Sequence, residues 1–376
     1  MSSVRSMTDG SPGKLIISFA LPLMIGNLFQ QFYTIADAAI VGQVLGVSAI
    51  AAVGAAEWII WMIQGIIQGF TQGFSIQMAH EFGARDYKRL RNVIVNSAFL
   101  AAISAFVLLA AGQVLAKWLL GELNTPDAVF AEASLYIRTM FWGIPVVMAY
   151  NLFAGVLRSL GDGKTPLYAM VFASILNVVL DLLFVPVLHM GVFGAAAATV
   201  IAQLCSGVFC FVKIIRIEML KFNREDCTLS GALQLRLLNL GMPMAFQNAV
   251  ISVGGMIVQF VINGFGVEFI AGFTATNKLY GMLEVAATSY GFAMTTYTGQ
   301  NLGAGETQRV RAGYRSAMAI AMATSLVIAA VMVLGGKAIL LCFISGEATT
   351  VETTLAIAYR YLFIMSICLP VLYYLH

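Results

Sequence analysis

The chain has 376 residues, 60% of them hydrophobic and 10% charged, with a formal charge of +3 and a mean hydropathy of +0.87. These values exclude an ordinary soluble domain and describe a polytopic membrane protein. So small a net charge gives no footing for nucleic acid or for a polybasic lipid tether.

The residues before Gly13 are polar and the apolar run after Lys14 is too long for a signal core, so the first helix is expected to be retained. Apolar runs of about 20 residues predict ten helices, over residues 15–41, 48–80, 92–119, 130–158, 166–188, 192–217, 237–264, 269–299, 312–341 and 353–376. Lys and Arg concentrate in alternate connections. One side carries Arg5 and Lys14, then Arg85 to Arg91, Arg158 and Lys164, Lys213 to Arg236, and Arg309 to Arg315. The opposite connections keep Lys117 and Lys337, beside Glu122, Asp127, Glu132, Glu268, Glu347 and Glu352. The positive-inside rule puts Met1 and the Arg85–Arg91 connection in the cytoplasm, in a multi-pass protein of the plasma (inner) membrane.

The polar break Lys221–Ser230 divides the chain into two parts, and the second repeats the first at an offset of about 220 residues. Pro22 with Asn27 returns as Pro243 with Asn248, and Gly46-Val47 as Gly266-Val267. Gly83-Ala84-Arg85-Asp86 with Arg89 and Arg91 returns as Gly303-Ala304-Gly305-Glu306 with Arg309 and Arg311, and Tyr136 and Pro145 return as Tyr361 and Pro370. An even number of helices per copy gives parallel repeats about an axis along the membrane normal. The expected fold is an all-α transmembrane bundle of two six-helix lobes, residues 1–222 with helices 1–6 and residues 223–376 with helices 7–10, two further helices being expected to complete the second lobe. Pro22, Pro145, Pro243 and Pro370 fall inside predicted helices and should bend them at matching places.

Acids inside apolar runs are costly and mark ion, proton or substrate paths. Asp37 lies near the outer end of the first predicted helix. Asn177 and Asp181 share a face of the fifth at i, i+4, and Thr199 on the sixth reaches a similar depth, so four oxygen-bearing side chains on three helices share one level; simple helix-to-helix bonding is the competing reading. Glu57 and Glu284 are the other embedded acids, Glu57 at the outer rim and Glu284 deeper, where Lys278 or a cationic ligand could meet it. Asn27, Gln31, Met140, Asn151, Asn248, Met256 and Glu284 are the candidate lining of a substrate cavity, methionine supplying an adaptable apolar wall, although such residues also serve generic packing. The five cysteines, Cys205, Cys210, Cys227, Cys342 and Cys368, contain no C-x-x-C pair, and His80, His189 and His376 are scattered. Enzyme motifs fail: Gly163-Lys164-Thr165 ends like a P-loop, but the first glycine that motif needs is replaced by Arg158.

The chain resembles the multidrug and toxic-compound extrusion family of cation antiporters. The resemblance is carried by Ala36-Asp37 through Val41-Gly42 to Ala51-Ala52-Val53-Gly54, by Leu157-Arg158-Ser159-Leu160-Gly161-Asp162, by Asn177-Val178-Val179-Leu180-Asp181, by Gly194 through Thr199, and by Gln300-Asn301-Leu302-Gly303-Ala304. It implies twelve helices around a V-shaped cleft and monomeric export of organic cations or amphiphilic drugs against Na⁺ or H⁺, with no other cofactor. In members with a first-lobe acid site, the coupling residues match Asp37, Asn177, Asp181 and Thr199, and a Na⁺ would take Asp37, Asn177 and Asp181. Members that rely on a seventh-helix glutamate differ, since no acid stands between Leu237 and Gly264. The alternative is a lipid-linked oligosaccharide flippase of the same superfamily, which would need a basic cavity; Arg138, Lys278 and Arg360 are the embedded candidates.

Overall fold

The protein is described by a computed structural model covering residues 4–123, 125–223, 226, 228–262, 264–265, 267–341 and 348–375. Met1, Arg224, Cys227, Gly266, Cys342, Glu347 and His376 lie outside the described residues, as do the side chains of Val47, Val267 and Glu268. Among the described residues there are eleven α-helices: α1 (Pro12–Leu45), α2 (Val47–Gly83), α3 (Tyr87–Glu122), α4 (Asp127–Trp142), α5 (Ile144–Ser159), α6 (Lys164–Phe184), α7 (Gly191–Ile215), α8 (Gly231–Ile262), α9 (Val267–Gly303), α10 (Thr307–Leu340) and α11 (Ala348–Leu375). Eight are long and apolar enough to cross a membrane, nine if the bent pair α4–α5 is one span. The protein is thus an all-helical, multi-pass membrane protein. Helix α9 falls short of the apolar criterion because it carries Asn277, Lys278, Glu284 and Ser289, and it packs among α1, α2, α10 and α11.

The fourth predicted helix is two helices, meeting at Gly143 with a bend of 44°. Pro145 therefore does not sit inside a helix but in the first turn of α5, where its missing N–H leaves nothing unpaired. Gly143 supplies the rest of the reason: a Cβ there would lie 2.5 Å from Val200 Cγ2, so the glycine lets α7 pass closely. Pro22, Pro243 and Pro370 remain inside α1, α8 and α11. At the position matching Gly143 stands Cys368, which has a Cβ, and α11 runs on.

The repeats adopt the same turns. After α2, Arg85 takes φ 58°, and after α9 the matching Gly305 takes φ 78°. Asp86 N–H donates to Glu81 O at 3.1 Å and Glu306 N–H to Asn301 O at 2.8 Å. Asp86 then caps α3 by accepting from Arg89 N–H at 2.9 Å.

The two repeats meet along seams built of small residues. At the end of the bundle bearing Arg85 and Arg309, here the basic end, α2 crosses α9. An added Cβ at Gly83 would lie 1.9 Å from Gln300 O, one at Gly303 1.9 Å from His80 O, and one at Gly299 2.7 Å from Ala79 Cβ. On α2, Gly69 and Gly73 likewise admit the backbone of α8 at Ala245 and Gly241. The matched asparagines reach across in both directions: Asn248 of α8 donates to Gly65 O at 2.8 Å, and Asn27 of α1 to Ser289 Oγ of α9 at 3.4 Å. Between the helices of bundles in lipid, where burial gives no hydrophobic gain, such close packing and hydrogen bonding supply the association energy.

Two extended segments bind the repeats further. The lead-in to α1 docks on the second repeat: Met7 N–H donates to Gln300 Oε1 at 2.7 Å, Asn301 Nδ2 donates to Met7 O at 3.2 Å, and Arg309 donates to Gly10 O at 3.0 Å. The lead-in to α8 docks on the first: Arg91 Nε pairs with Asp226 Oδ2 at 2.7 Å, and Asn92 Nδ2 donates to Thr228 O at 2.7 Å. The Arg91 hydrogen bond, with that from the Asn223 N–H, holds the Asp226 carboxyl below the usual carboxylate range. Each repeat is thus held by the segment that starts the other.

Replacement of Gly83 or Gly303 by Val should destabilise the protein by about 3 kcal/mol or more, because the new side chain meets backbone that cannot step aside. In detergent this should read as a fall of roughly 5 °C or more in apparent Tm, whereas Gly54→Ala, with nothing within 4 Å of the added methyl, should leave it unchanged. Equal melting of all three variants would refute the seam.

Candidate functional site

The site is built by four helices of the first repeat. Helix α1 lies against α6 because its small residues permit it: an added Cβ at Gly26 would touch Leu167 and Met170 at 3.4–3.6 Å, and Gly163 before α6 lies close under Phe19 O. Helices α6 and α7 form a hairpin fixed by Ser206 Oγ donating to Ala169 O at 3.0 Å and by the turn bond Met190 N–H to Phe184 O at 2.9 Å. This register sets Asn177 beside Thr199, the amide donating to the hydroxyl at 3.3 Å.

The four residues picked out by sequence do come together. Asp181 is 0% exposed, Asn177 1% and Asp37 8%. Asp37 and Asp181 are close enough for each charge to bear on the same Tyr33 phenol, and Asp37 bears directly on Asp181. Three residues join them that the sequence alone did not mark. Tyr33 lies one turn before Asp37 on α1. Gln203 lies one turn after Thr199 on α7, its side chain facing the Tyr33 phenol. Tyr136, buried on α4, feels Asp37, Tyr33 and Asp181. The i, i+4 rule already used for Asn177 and Asp181 would have found Tyr33 and Gln203. Tyr136 carries no such signal, because only the bend at Gly143 and the packing of α4 bring it in.

The chemistry of the cluster lies in what its oxygens lack. Asp37 Oδ1, Asn177 Oδ1, both carboxylate oxygens of Asp181 and Gln203 Oε1 are buried with no protein donor. Leaving a buried acceptor unsatisfied costs about 1–3 kcal/mol, more for a charged one. Two carboxyls and two amides with unpaired buried oxygens, none of them bonded to a cationic side chain among the described residues, form a donor set for a proton or a hard cation.

The candidate cavity residues divide. Asn27 and Gln31 lie on the α1–α9 seam, Gln31 near Gly281, and Asn248 lies on the α2–α8 seam. Met256 is half-buried on α8, and Glu284, half-buried on α9, lies near Tyr280 and Tyr373. Met140 instead packs on the core of the first repeat, and Asn151 returns its amide to Val147 O at 2.9 Å within its own helix. Lys278 does not turn to Glu284, six residues on and round the far side of the helix; it meets Glu57 of α2 at 3.2 Å, both half-exposed. The three basic candidates stand apart, Arg138 bonded to Gln113, Lys278 on Glu57 and Arg360 exposed on α11.

Among known protein families, the MatE family model matches residues 22–183 and 243–376. The chain belongs to the MatE family. A MatE relative, the "Probable multidrug resistance protein YpnP" of Bacillus subtilis, is 32% identical over 81% of this chain and 68% of its own length. A solved MOP superfamily transporter from Pyrococcus furiosus, described as having a binding pocket of reverse polarity that suggests a different function, superposes with a TM-score of 0.89 at 25% identity, over 96% of this chain and 80% of that one. An outward-facing multidrug resistance MATE transporter superposes with a TM-score of 0.87 at 25% identity, over 97% of this chain and 82% of that one. The two solved neighbours are named as transporters, and this chain shares their fold.

Because the acids contribute no protein hydrogen bond through these oxygens, Asp181→Asn and Asp37→Asn should leave the apparent Tm unchanged or raise it by a few degrees, roughly 2–4 °C per kcal/mol. A fall of comparable size in either variant, in buffer free of Na⁺, would show that the carboxylates are structural.

Proposed function

We propose that this MatE protein is a secondary active multidrug efflux antiporter that exports organic cations or amphiphiles in exchange for Na⁺ or H⁺ by alternating access. The observation that carries the reading is the set of buried, donorless oxygens on Asp37, Asn177, Asp181 and Gln203. A buried carboxylate pair without donors keeps its charge only beside a cation and otherwise takes a proton, so proton, Na⁺ and cationic substrate compete for the same oxygens. Asp37 is the main coupling acid, Asp181 its partner, and Asn177 and Thr199 supply neutral oxygens. The names of the relatives as multidrug resistance proteins support the substrate class.

Coupling requires two arrangements that bind the ion with different affinity. The moving bodies in this reading are residues 1–222 and 223–376, which rock about the small-residue seams while the basic end, proposed as cytoplasmic, opens and closes. Single cysteines in a cysteine-free background test that orientation: Asp86→Cys should resist an impermeant thiol reagent on intact cells and react after permeabilisation, and ready labelling from outside would invert it.

Asp37→Asn keeps the size and removes the charge. It should lower gradient-driven efflux of a cationic dye from proteoliposomes by at least roughly tenfold, about 1.4 kcal/mol in coupling. Asp181→Asn should weaken efflux substantially, and Glu57→Gln, on the half-exposed pair with Lys278, much less. Normal, still gradient-dependent efflux by well-folded Asp37→Asn would place the coupling site elsewhere.

A further inference from the structure

Arg158 is a half-buried cation that the site above does not use. Its position in the last turn of α5 suggests a solvated helix end, but the side chain is half-buried between the repeats. Its guanidinium carbon lies 4.4 Å from the centre of the Phe292 ring of α9. The acid four residues on does not reach it: Asp162 gives its carboxylate to the start of α6, accepting from Lys164 N–H at 3.1 Å, Thr165 N–H at 2.9 Å and the Thr165 hydroxyl at 2.5 Å. Among the described residues Arg158 has no ion pair and no hydrogen bond to any protein group; its charge is felt by Tyr150 and Cys210, both neutral partners. Beside it lies a cavity of about 20 Å³, room for a single water-sized body, walled by Leu23, Gly26, Asn27, Met170 and Phe292.

A guanidinium presents five N–H donors in a fork that fits an oxyanion in two-point contact. An aromatic face offers it attraction but accepts no such pair of bonds. We propose that Arg158 is the recognition point for the oxyanion, phosphate or carboxylate, of an amphiphile that enters from the basic end. Phe292 covers that point while the repeats are closed. Phe292 belongs to the second repeat and Arg158 to the first, so parting the repeats at this end uncovers the fork, and the apolar walls Leu23 and Met170 then flank it for the tail. The ligand class is thus anionic or zwitterionic amphiphiles, in addition to the cations proposed above. The inference does not rest on ion coupling and is tested by binding without a gradient.

The probe is hexyl phosphate, with hexyltrimethylammonium as a control of the same tail and opposite charge, titrated against the whole chain in a phosphate-free maltoside detergent and read by ligand-induced shift in Tm. Hexyl phosphate should bind saturably, at least tenfold more weakly to Arg158→Gln, with intermediate affinity to Arg158→Lys, and several-fold more tightly to Phe292→Leu, where the competing ring is gone. The ammonium control should change less than twofold in each. Unaltered hexyl phosphate binding by Arg158→Gln, equal losses for both probes, or weaker binding by Phe292→Leu would overturn the proposal. Displacement of the probe by phosphatidylglycerol would identify a lipid headgroup as the source of the oxyanion, and displacement by inorganic phosphate alone a soluble one. Displacement by neither would also overturn it.

Discussion

Everything in this molecule depends on two repeats being allowed to touch through bare backbone. At the α2–α9 crossing the positions that matter are Gly83, Gly299 and Gly303, and on the α2–α8 seam Gly69 and Gly73. Lipid offers no hydrophobic gain for joining apolar helices, so the contact must be made by shape and by polar groups. That is why matched asparagines, Asn27 and Asn248, stand on the seams rather than leucines. Contacts of this kind rest on close backbone approach and a few polar bonds, which is compatible with the rocking proposed above.

The acceptor cluster uses this scaffold asymmetrically. Under the offset that relates Asn27 to Asn248, the counterpart of Asp37 is Val258, exposed on α8, and that of Tyr33 is Gly254. Among the described residues the first repeat thus carries a cost the second does not: buried carboxylates without donors, held by helices whose register is fixed at Ser206–Ala169 and Asn177–Thr199. Such unsatisfied groups cost stability, a cost that the coupling role proposed above would explain. Opposite charges then lie at different levels of the first repeat, acids on the α1–α6–α7 face and Arg158 at the end of α5.

Helix positions were legible in the sequence because each hydrophobic run is long and bounded by charge, and the acidic members of the acceptor cluster because acids are so rare within those runs. The residues within one helix turn were equally accessible, so Tyr33 and Gln203 could have been read beside Asp37 and Thr199. What one-dimensional periodicity does not contain is the rotation of one helix against another. It could not say that Tyr136 turns to Asp37, that Lys278 crosses to Glu57 rather than Glu284, or that Phe292 covers Arg158. The break at Gly143 was hidden for a related reason: Pro145 announced a bend, but the glycine's role is set by Val200 of a helix that comes much later in the chain.

The segment before α1 is held by residues nearly three hundred positions away, Gln300, Asn301 and Arg309. A chain is made from its N-terminus, and long-range contacts wait for their partners. Residues 5–10 therefore leave the ribosome early but find their docking site only once α9 and the start of α10 have been synthesised and inserted. The segment that starts α8, by contrast, meets Arg91 and Asn92 of a helix already in place. The first half can be fastened as it is made, while the N-terminal segment must wait for α9 and the start of α10, so bulk fused ahead of Arg5 would act on the joining of the two repeats more than on the insertion of any single helix.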